Sequence, residues 1–285
     1  MSCYIGIDLG GTSIKGGRIE SGILASVEYL LVDSNGTQQS IFNDICKLIN
    51  RLLTREVKGI GFAVPAVIDF ASGTIYGLSN IPQFNGFGIQ KALEERFLVP
   101  VMLQNDANCF VLGEKYFGSG QGFANIVGLI TGTGVGAGII VNNKIHNGEH
   151  LGAGELGMIP YKETCFESYC GGQYFTSTYQ ISGEELSNRA FDGDKEALSA
   201  FYSYGLHLGE LINLICYVLD PQIIIIGGSV SKSFELYRSG FETAMKGFYF
   251  DHQEKVVVKP SILKDIAIFG AVSLFYEAPG LNVIL

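Results

Sequence analysis

One glycine-rich turn occurs twice in this 285-residue sequence, and no other feature restricts the possible folds as much. Near the start, Asp8-Leu9-Gly10-Gly11-Thr12-Ser13-Ile14-Lys15 lies between two apolar runs. In the middle, Thr131-Gly132-Thr133-Gly134-Val135-Gly136 again joins two apolar runs. Glycines in a strand-to-strand turn let backbone N–H groups approach an anion, and threonine hydroxyls add donors beside them. The repeat predicts two half-molecules facing each other across a nucleotide, and so points toward phosphoryl transfer.

The pattern around each turn supports a duplication. Tyr4–Leu9, Ser13–Ile19 and Ile23–Leu31 read as an antiparallel meander, followed by a helix between Thr37 and Arg55 with Ile41, Phe42, Ile45, Leu48, Ile49, Leu52 and Leu53 at helical spacing. Gly59–Val64 is a buried strand, Leu93–Phe97 a short helix and Val101–Leu103 a strand running into Asn105-Asp106 and a helix to about Phe117. The order βββαβαβα fits a mixed sheet flanked by helices. After Gly118–Gly122 the plan restarts. Ala124–Thr131, Val135–Val141 and Asn143–His146 form a second meander, and a long helix spans Lys195–Leu219. The buried strand Gln222–Ile226 comes next, then a helix over Lys232–Lys246, a strand at Val256–Val258 and a last apolar helix over Ile266–Tyr276. The glycine-rich Gly118–Gly122 segment is the expected domain boundary.

Composition narrows the function classes. The chain is 47% hydrophobic and 16% charged, which excludes intrinsic disorder, and its net charge of −9 argues against nucleic-acid binding. Six cysteines scattered through apolar segments, with no basic-then-apolar leader, predict a cytoplasmic protein. The apolar stretch Leu211–Ile226 is interrupted by Asn213, Asp220 and Pro221, so no membrane span is expected.

Several residues carry candidate chemistry. Asp8 ends the first strand, where a carboxylate can hold Mg²⁺ or its waters. Gly10, Gly11 and Thr12 would present donors to terminal phosphates, as would Gly132, Thr133 and Gly134 of the second turn. The plain alternative for either turn is an ordinary tight hairpin. Lys15 is grouped with these nucleotide-binding residues, although a strand lysine sharing a face with Ser13 is also consistent with simple solvation. Asp106, between a strand and a helix, is placed to accept a proton from a substrate hydroxyl; the competing role is a helix cap, which its residue type favours. Asn105 offers an amide to the same hydroxyl, and Glu155, flanked by glycines, suits a ring of sugar hydroxyls. Gly227-Gly228 would let a flat nucleoside lie against the backbone before a helix N-terminus.

In order and spacing these segments resemble the ROK family (repressor, open reading frame, kinase) over nearly the whole chain. The matching segments include Asp8–Thr12, Val64–Asp69, Asn80, Asn105–Asn108, Thr131–Gly138, Gly154–Gly157, Ile226–Gly228 and Gly270-Ala271. The resemblance implies an α/β, two-domain actin-like ATPase (ribonuclease H-like) fold, with duplicated domains and a cleft between them. Residues 1–118 plus 270–285 would form the sugar and phosphate domain, and 119–269 the nucleotide-binding domain. It also implies ATP-dependent phosphorylation of a hexose, usually at the 6-hydroxyl, by a homodimer. Asp106 would be the base; Asn80, Asn105, Glu155 and Glu167 would hold the sugar; Asp8 would serve Mg²⁺.

The departures concern the sugar end. Many members carry a histidine directly after Gly-Glu-x-Gly and a downstream cysteine cluster, which together bind structural zinc. Here Met158 stands in the histidine position and only Cys165 matches the cluster, so no zinc site is expected. Ala66 replaces a common glycine, and its methyl bears on the space left for the ring. The substrate class therefore stays open between a glucokinase-like hexose, an N-acetylhexosamine (N-acetylmannosamine or N-acetylglucosamine) and fructose. The family also includes sugar-responsive repressors. A first strand at Tyr4 leaves no room for their DNA-binding segment, so a regulator is the disfavoured alternative.

Overall fold

The computed structural model describes residues 2–78, 80–247 and 256–277. The chain divides into two compact units: one runs through Gln121 and resumes at Leu263, and the other is Gly122–Ile262. The tail 278–285 lies outside the described residues.

The first unit is built on a five-stranded mixed sheet. β1 (Cys3–Leu9), β2 (Ser13–Glu20) and β3 (Ile23–Leu31) form the expected meander; β4 (Ile60–Val64) joins β1 in parallel, and β7 (Val101–Asn105) joins β4 in parallel, giving the order β3-β2-β1-β4-β7. β4 is buried along its whole length, as expected of a parallel strand covered on both faces. α1 (Gln38–Leu52) starts where Thr37 accepts a bond from Ser40 N–H, and it buries Ile41, Ile45, Leu48, Ile49 and Leu52 against the sheet. A small hairpin, β5 (Val67–Asp69) with β6 (Thr74–Tyr76), follows β4; α2 (Ile89–Phe97) then precedes β7.

α3 (Asp106–Phe117) and α9 (Ile266–Glu277) pack against each other on the sheet. The approach is close enough that a Cβ on Gly270 would lie 1.7 Å from the Cys109 carbonyl oxygen, so only glycine serves there. This is why the last helix, coming after the whole of the second unit, belongs to the first.

The second unit repeats the sheet. β8 (Ile126–Thr131), β9 (Val135–Val141) and β10 (Lys144–Ile145) form a meander; β13 (Ile223–Gly227) and β14 (Val257–Pro260) add in parallel, in the order β10-β9-β8-β13-β14. β13 is a fully buried run of isoleucines, the counterpart of β4. α7 (Lys195–Leu219), capped by Asp194 on Glu196 and Ala197 N–H, is the principal core helix and packs on α8 (Phe234–Met245). Between β10 and α7 the chain makes a short hairpin, β11 (Pro160–Tyr161) with β12 (Thr164–Cys165). Three helices then follow: α4 (Phe166–Cys170), α5 (Gln173–Tyr179) and α6 (Gly183–Phe191). Sequence periodicity does not reveal these short elements.

Candidate functional site

Two groups of predicted residues assemble, one in each unit. In the first unit, strand register places an acidic group at the carboxyl edge of the parallel strands, where open α/β sheets bind ligands. Asp8 stands beside Ala63, Ala63 beside Gln104, and Val64 beside Asn105, so Asp8 and Asp106 come to the same edge. Lys15 is the cross-strand partner of Asp8 and forms an ion pair with Asp265, just before α9. Asp265 carries the left-handed backbone φ of 59°. It is a member of this group that sequence reasoning missed, because an aspartate preceding an apolar helix resembles an ordinary cap.

Asp8 is strongly perturbed. Burial, reinforced by the charge of Asp106, pushes its carboxyl up to about 6; Lys15 acts in the opposite direction and Asp265 adds to the rise. Burial also raises Asp106, opposed by the N–H of Ala107. At the start of α3 the cap is Asn105: its Oδ1 accepts from Ala107 N at 3.0 Å, and its amide donates to the Ala66 carbonyl at 3.4 Å. Asp106, one residue on, also takes the Ala107 N–H at 2.9 Å. The first glycine turn is closed by Gly10 N–H to the Ser13 carbonyl, and Thr12 is exposed at its tip. Asn80 packs directly on this turn, since a Cβ on Gly11 would lie 2.7 Å from the Asn80 Cβ.

The second unit holds the other group. The turn 132–134 is closed by Gly132 N–H to the Gly134 carbonyl, and Thr133 is exposed. The buried Thr131 hydroxyl donates to the Gly227 carbonyl at 3.2 Å, tying the turn to the end of β13. Gly228 has φ +87°, and a Cβ there would lie 2.3 Å from the Thr131 carbonyl oxygen. Gly132 and Thr133 open onto a cavity of about 610 Å³, within the range of small-molecule sites. Gly172, Glu184, Ser187, Asn188, Ser229 and Lys232 also line it. Of these, Glu184, Ser187 and Asn188 come from α6 and Ser229 and Lys232 from the segment after β13, and no motif marked the α6 residues.

Glu167 is engaged with the second turn on one side of its carboxylate. Its Oε2 accepts the Val135 N–H at 3.0 Å and covers Gly134, so the carboxylate braces the second turn. Glu155 is exposed, next to the 3₁₀ turn Leu156–Met158, and Met158 is also exposed. Among the described residues, no three His, Cys, Asp or Glu side chains gather as a metal-binding group. No helix among them is long and apolar enough to cross a membrane.

Paired sheets with the same strand order, each opening on a glycine turn, define a two-domain α/β protein of the actin-like ATPase fold. The family model described as "ROK family" matches residues 4–278, and the chain belongs to that family. Glucokinase of Thermotoga maritima is 28% identical, across 97% of this chain and 98% of its own length. N-acetyl-D-glucosamine kinase of Escherichia coli is 28% identical, across 80% of this chain and 84% of its own length. The crystal structure of a ROK family glucokinase from Streptomyces griseus, in complex with glucose and AMPPNP, has the same fold. Its TM-score is 0.80 at 24% identity, covering 96% of this chain and 99% of that one.

Proposed function

We propose that this chain, an ATP-dependent sugar kinase of the ROK family, phosphorylates a hexose at its 6-hydroxyl with Asp106 as general base. The observation that carries the reading is the division of roles at the start of α3. Asn105 caps the helix, so the cap does not require Asp106. Asp106 is nevertheless held at the sheet's ligand-binding edge, with burial raising its proton affinity. A carboxylate tuned in that direction accepts a hydroxyl proton more readily at neutral pH. In the transfer, the sugar oxygen attacks the γ-phosphorus, its proton passes to Asp106, the β–γ bridging bond breaks and ADP leaves.

Asp8 fits Mg²⁺ on its own chemistry. It offers hard carboxylate oxygens beside a second acid, and Mg²⁺ is commonly held by one or two carboxylates together with substrate phosphates. When bound there, Mg²⁺ would offset the negative charge of the phosphates. We assign the phosphates to Gly10, Gly11, Thr12 and Lys15 of the first unit and to Gly132, Thr133 and Gly134 of the second. The adenosine is assigned to the cavity beside Thr133, next to Gly227-Gly228. Asn80, Asn105, Glu155 and the outer oxygen of Glu167 are assigned to the sugar ring.

A coupled ADP-release assay over glucose, mannose, fructose, N-acetylglucosamine and N-acetylmannosamine identifies the acceptor. The E. coli N-acetyl-D-glucosamine kinase is as similar in identity as the T. maritima glucokinase, so the N-acetyl sugars belong in the same panel. NMR of the product then locates the phosphate. Turnover surviving in Asp106→Asn, or phosphate at a position other than O6, would sink the corresponding part of the reading.

A further inference from the structure

We propose that His207, acting through Tyr161, is a positioning residue that holds Glu167 over the second glycine turn and so sets how that turn meets the nucleotide. The inference rests on the kinase reading above.

The segment between Gly154 and Gly172 cannot hold itself in place. Its strands are two residues long, its helix five, and such elements have little stability of their own. What fixes it is an aromatic cluster reaching α7. The Tyr161 ring stacks on Phe166 with centroids 4.2 Å apart and meets Tyr169 edge-on at 5.3 Å. His207, from the middle of α7, packs at 5.0 Å from the Tyr169 ring and 5.5 Å from the Tyr174 ring. The Tyr161 hydroxyl and His207 Nδ1 share a hydrogen bond of 3.1 Å.

From there the path to the turn is short. Phe166 N–H donates to the Ile159 carbonyl, closing the hairpin onto α4. The next residue, Glu167, accepts the Val135 N–H, and Gly172 N–H donates to the Gly132 carbonyl at 2.6 Å. The turn is thus held from both ends by α4 and its exit, and α4 is held by the cluster. Burial, with Lys162 adding to the effect, keeps the imidazole neutral down to about 4, and burial above all keeps the Tyr161 phenol protonated up to about 12. The bond therefore stays uncharged over the working range. A neutral, half-buried polar pair at the centre of an aromatic cluster specifies one arrangement where apolar rings alone would tolerate several.

The test uses the full chain, with ATP kinetics at saturating sugar, ADP binding by calorimetry and thermal melts. His207→Phe keeps a ring and removes the bond, whereas His207→Gln restores a donor and an acceptor. We expect His207→Phe to raise KM for ATP and Kd for ADP about fivefold to tenfold, the worth of one hydrogen bond passed to the turn. His207→Gln should recover most of the loss. Because His207 acts through Glu167, His207→Phe/Glu167→Gln should be no weaker for ADP than Glu167→Gln alone. ADP binding equal to the parent in a folded His207→Phe, or effects that multiply in the double variant, would overturn the proposal. Should His207→Phe fail to fold, Tyr161→Phe reads the same bond. Absence of sugar-dependent turnover in the parent would instead count against the kinase reading, while ADP binding still decides the role of His207.

Discussion

Asp8→Asn is expected to abolish turnover and, at neutral pH, to make the protein more stable. In the folded chain the Asp8 carboxyl is displaced from an ordinary 3.8 to about 6, by burial first and by the charge of Asp106 second. Between these values the folded state binds more protons than the unfolded state, so stability falls as pH rises through that window. Each pKa unit corresponds to about 1.4 kcal/mol, which puts the strain of the ionised group at about 3 kcal/mol at most once pH is well above 6. Asparagine has a similar shape and carries no charge, so it removes that strain. For a chain of this size the gain corresponds to a Tm increase of about 5–10 °C at the ceiling. The assay is a series of thermal melts of parent and variant from pH 4 to pH 8, without nucleotide or divalent cation. The difference in Tm should be small at pH 4 and grow to its full value by pH 7. A variant less stable than the parent at pH 7 would refute the electrostatic reasoning. A gain of equal size at pH 4 and pH 7 would assign the effect to packing.

Asp106→Asn should lower kcat by about 10²–10⁴-fold while leaving ADP affinity unchanged, measured by coupled assay and calorimetry. Asn105→Ala should cost about 1 kcal/mol of stability through loss of the α3 cap, with a smaller fall in kcat than Asp106→Asn. Gly228→Ala forces a Cβ toward the Thr131 carbonyl at φ +87°; a loss of about 1–3 kcal/mol in chemical denaturation is expected, together with weaker ADP binding.

The meanders, both glycine turns, α7 and the acidic edge were legible in the sequence because each has a strong local signature. β13 is a run of four isoleucines, α7 has sustained helical spacing, and the turns stand between apolar strands. α4 and α5 were not legible, since they are held by side-chain contacts to α7 rather than by their own periodicity, whereas α6 has a readable start in Ser182, which caps Glu185 N–H, and was missed. Tyr204, for example, donates to the Cys170 carbonyl from a distant part of the sequence. The bracing contact of Glu167 was hidden for a related reason: its partner Val135 is 32 residues away. Lys15 and Asp265 are 250 residues apart, and only the return of α9 to the first sheet brings them together.

The two sheets have one strand order but place different chemistry at equivalent positions, and this difference argues for separate tasks. In the first unit the next-to-last pair of the turn hairpin is Asp8 opposite Lys15; in the second it is Ile130 opposite Gly136. The strand beside each hairpin ends in Val64 in one and in Gly227 in the other, where Gly227 leads into the positive-φ Gly228. Charge capable of taking a proton or facing a cation is thus concentrated on the first sheet. The second offers bare backbone, hydroxyls and one braced carboxylate. A duplicated frame used twice for one purpose would keep matching residues at these positions. Here they differ, with an acid opposite a lysine in one copy and an apolar residue opposite a glycine in the other. That divergence fits the proposed general base on the first unit and the proposed adenosine cavity on the second.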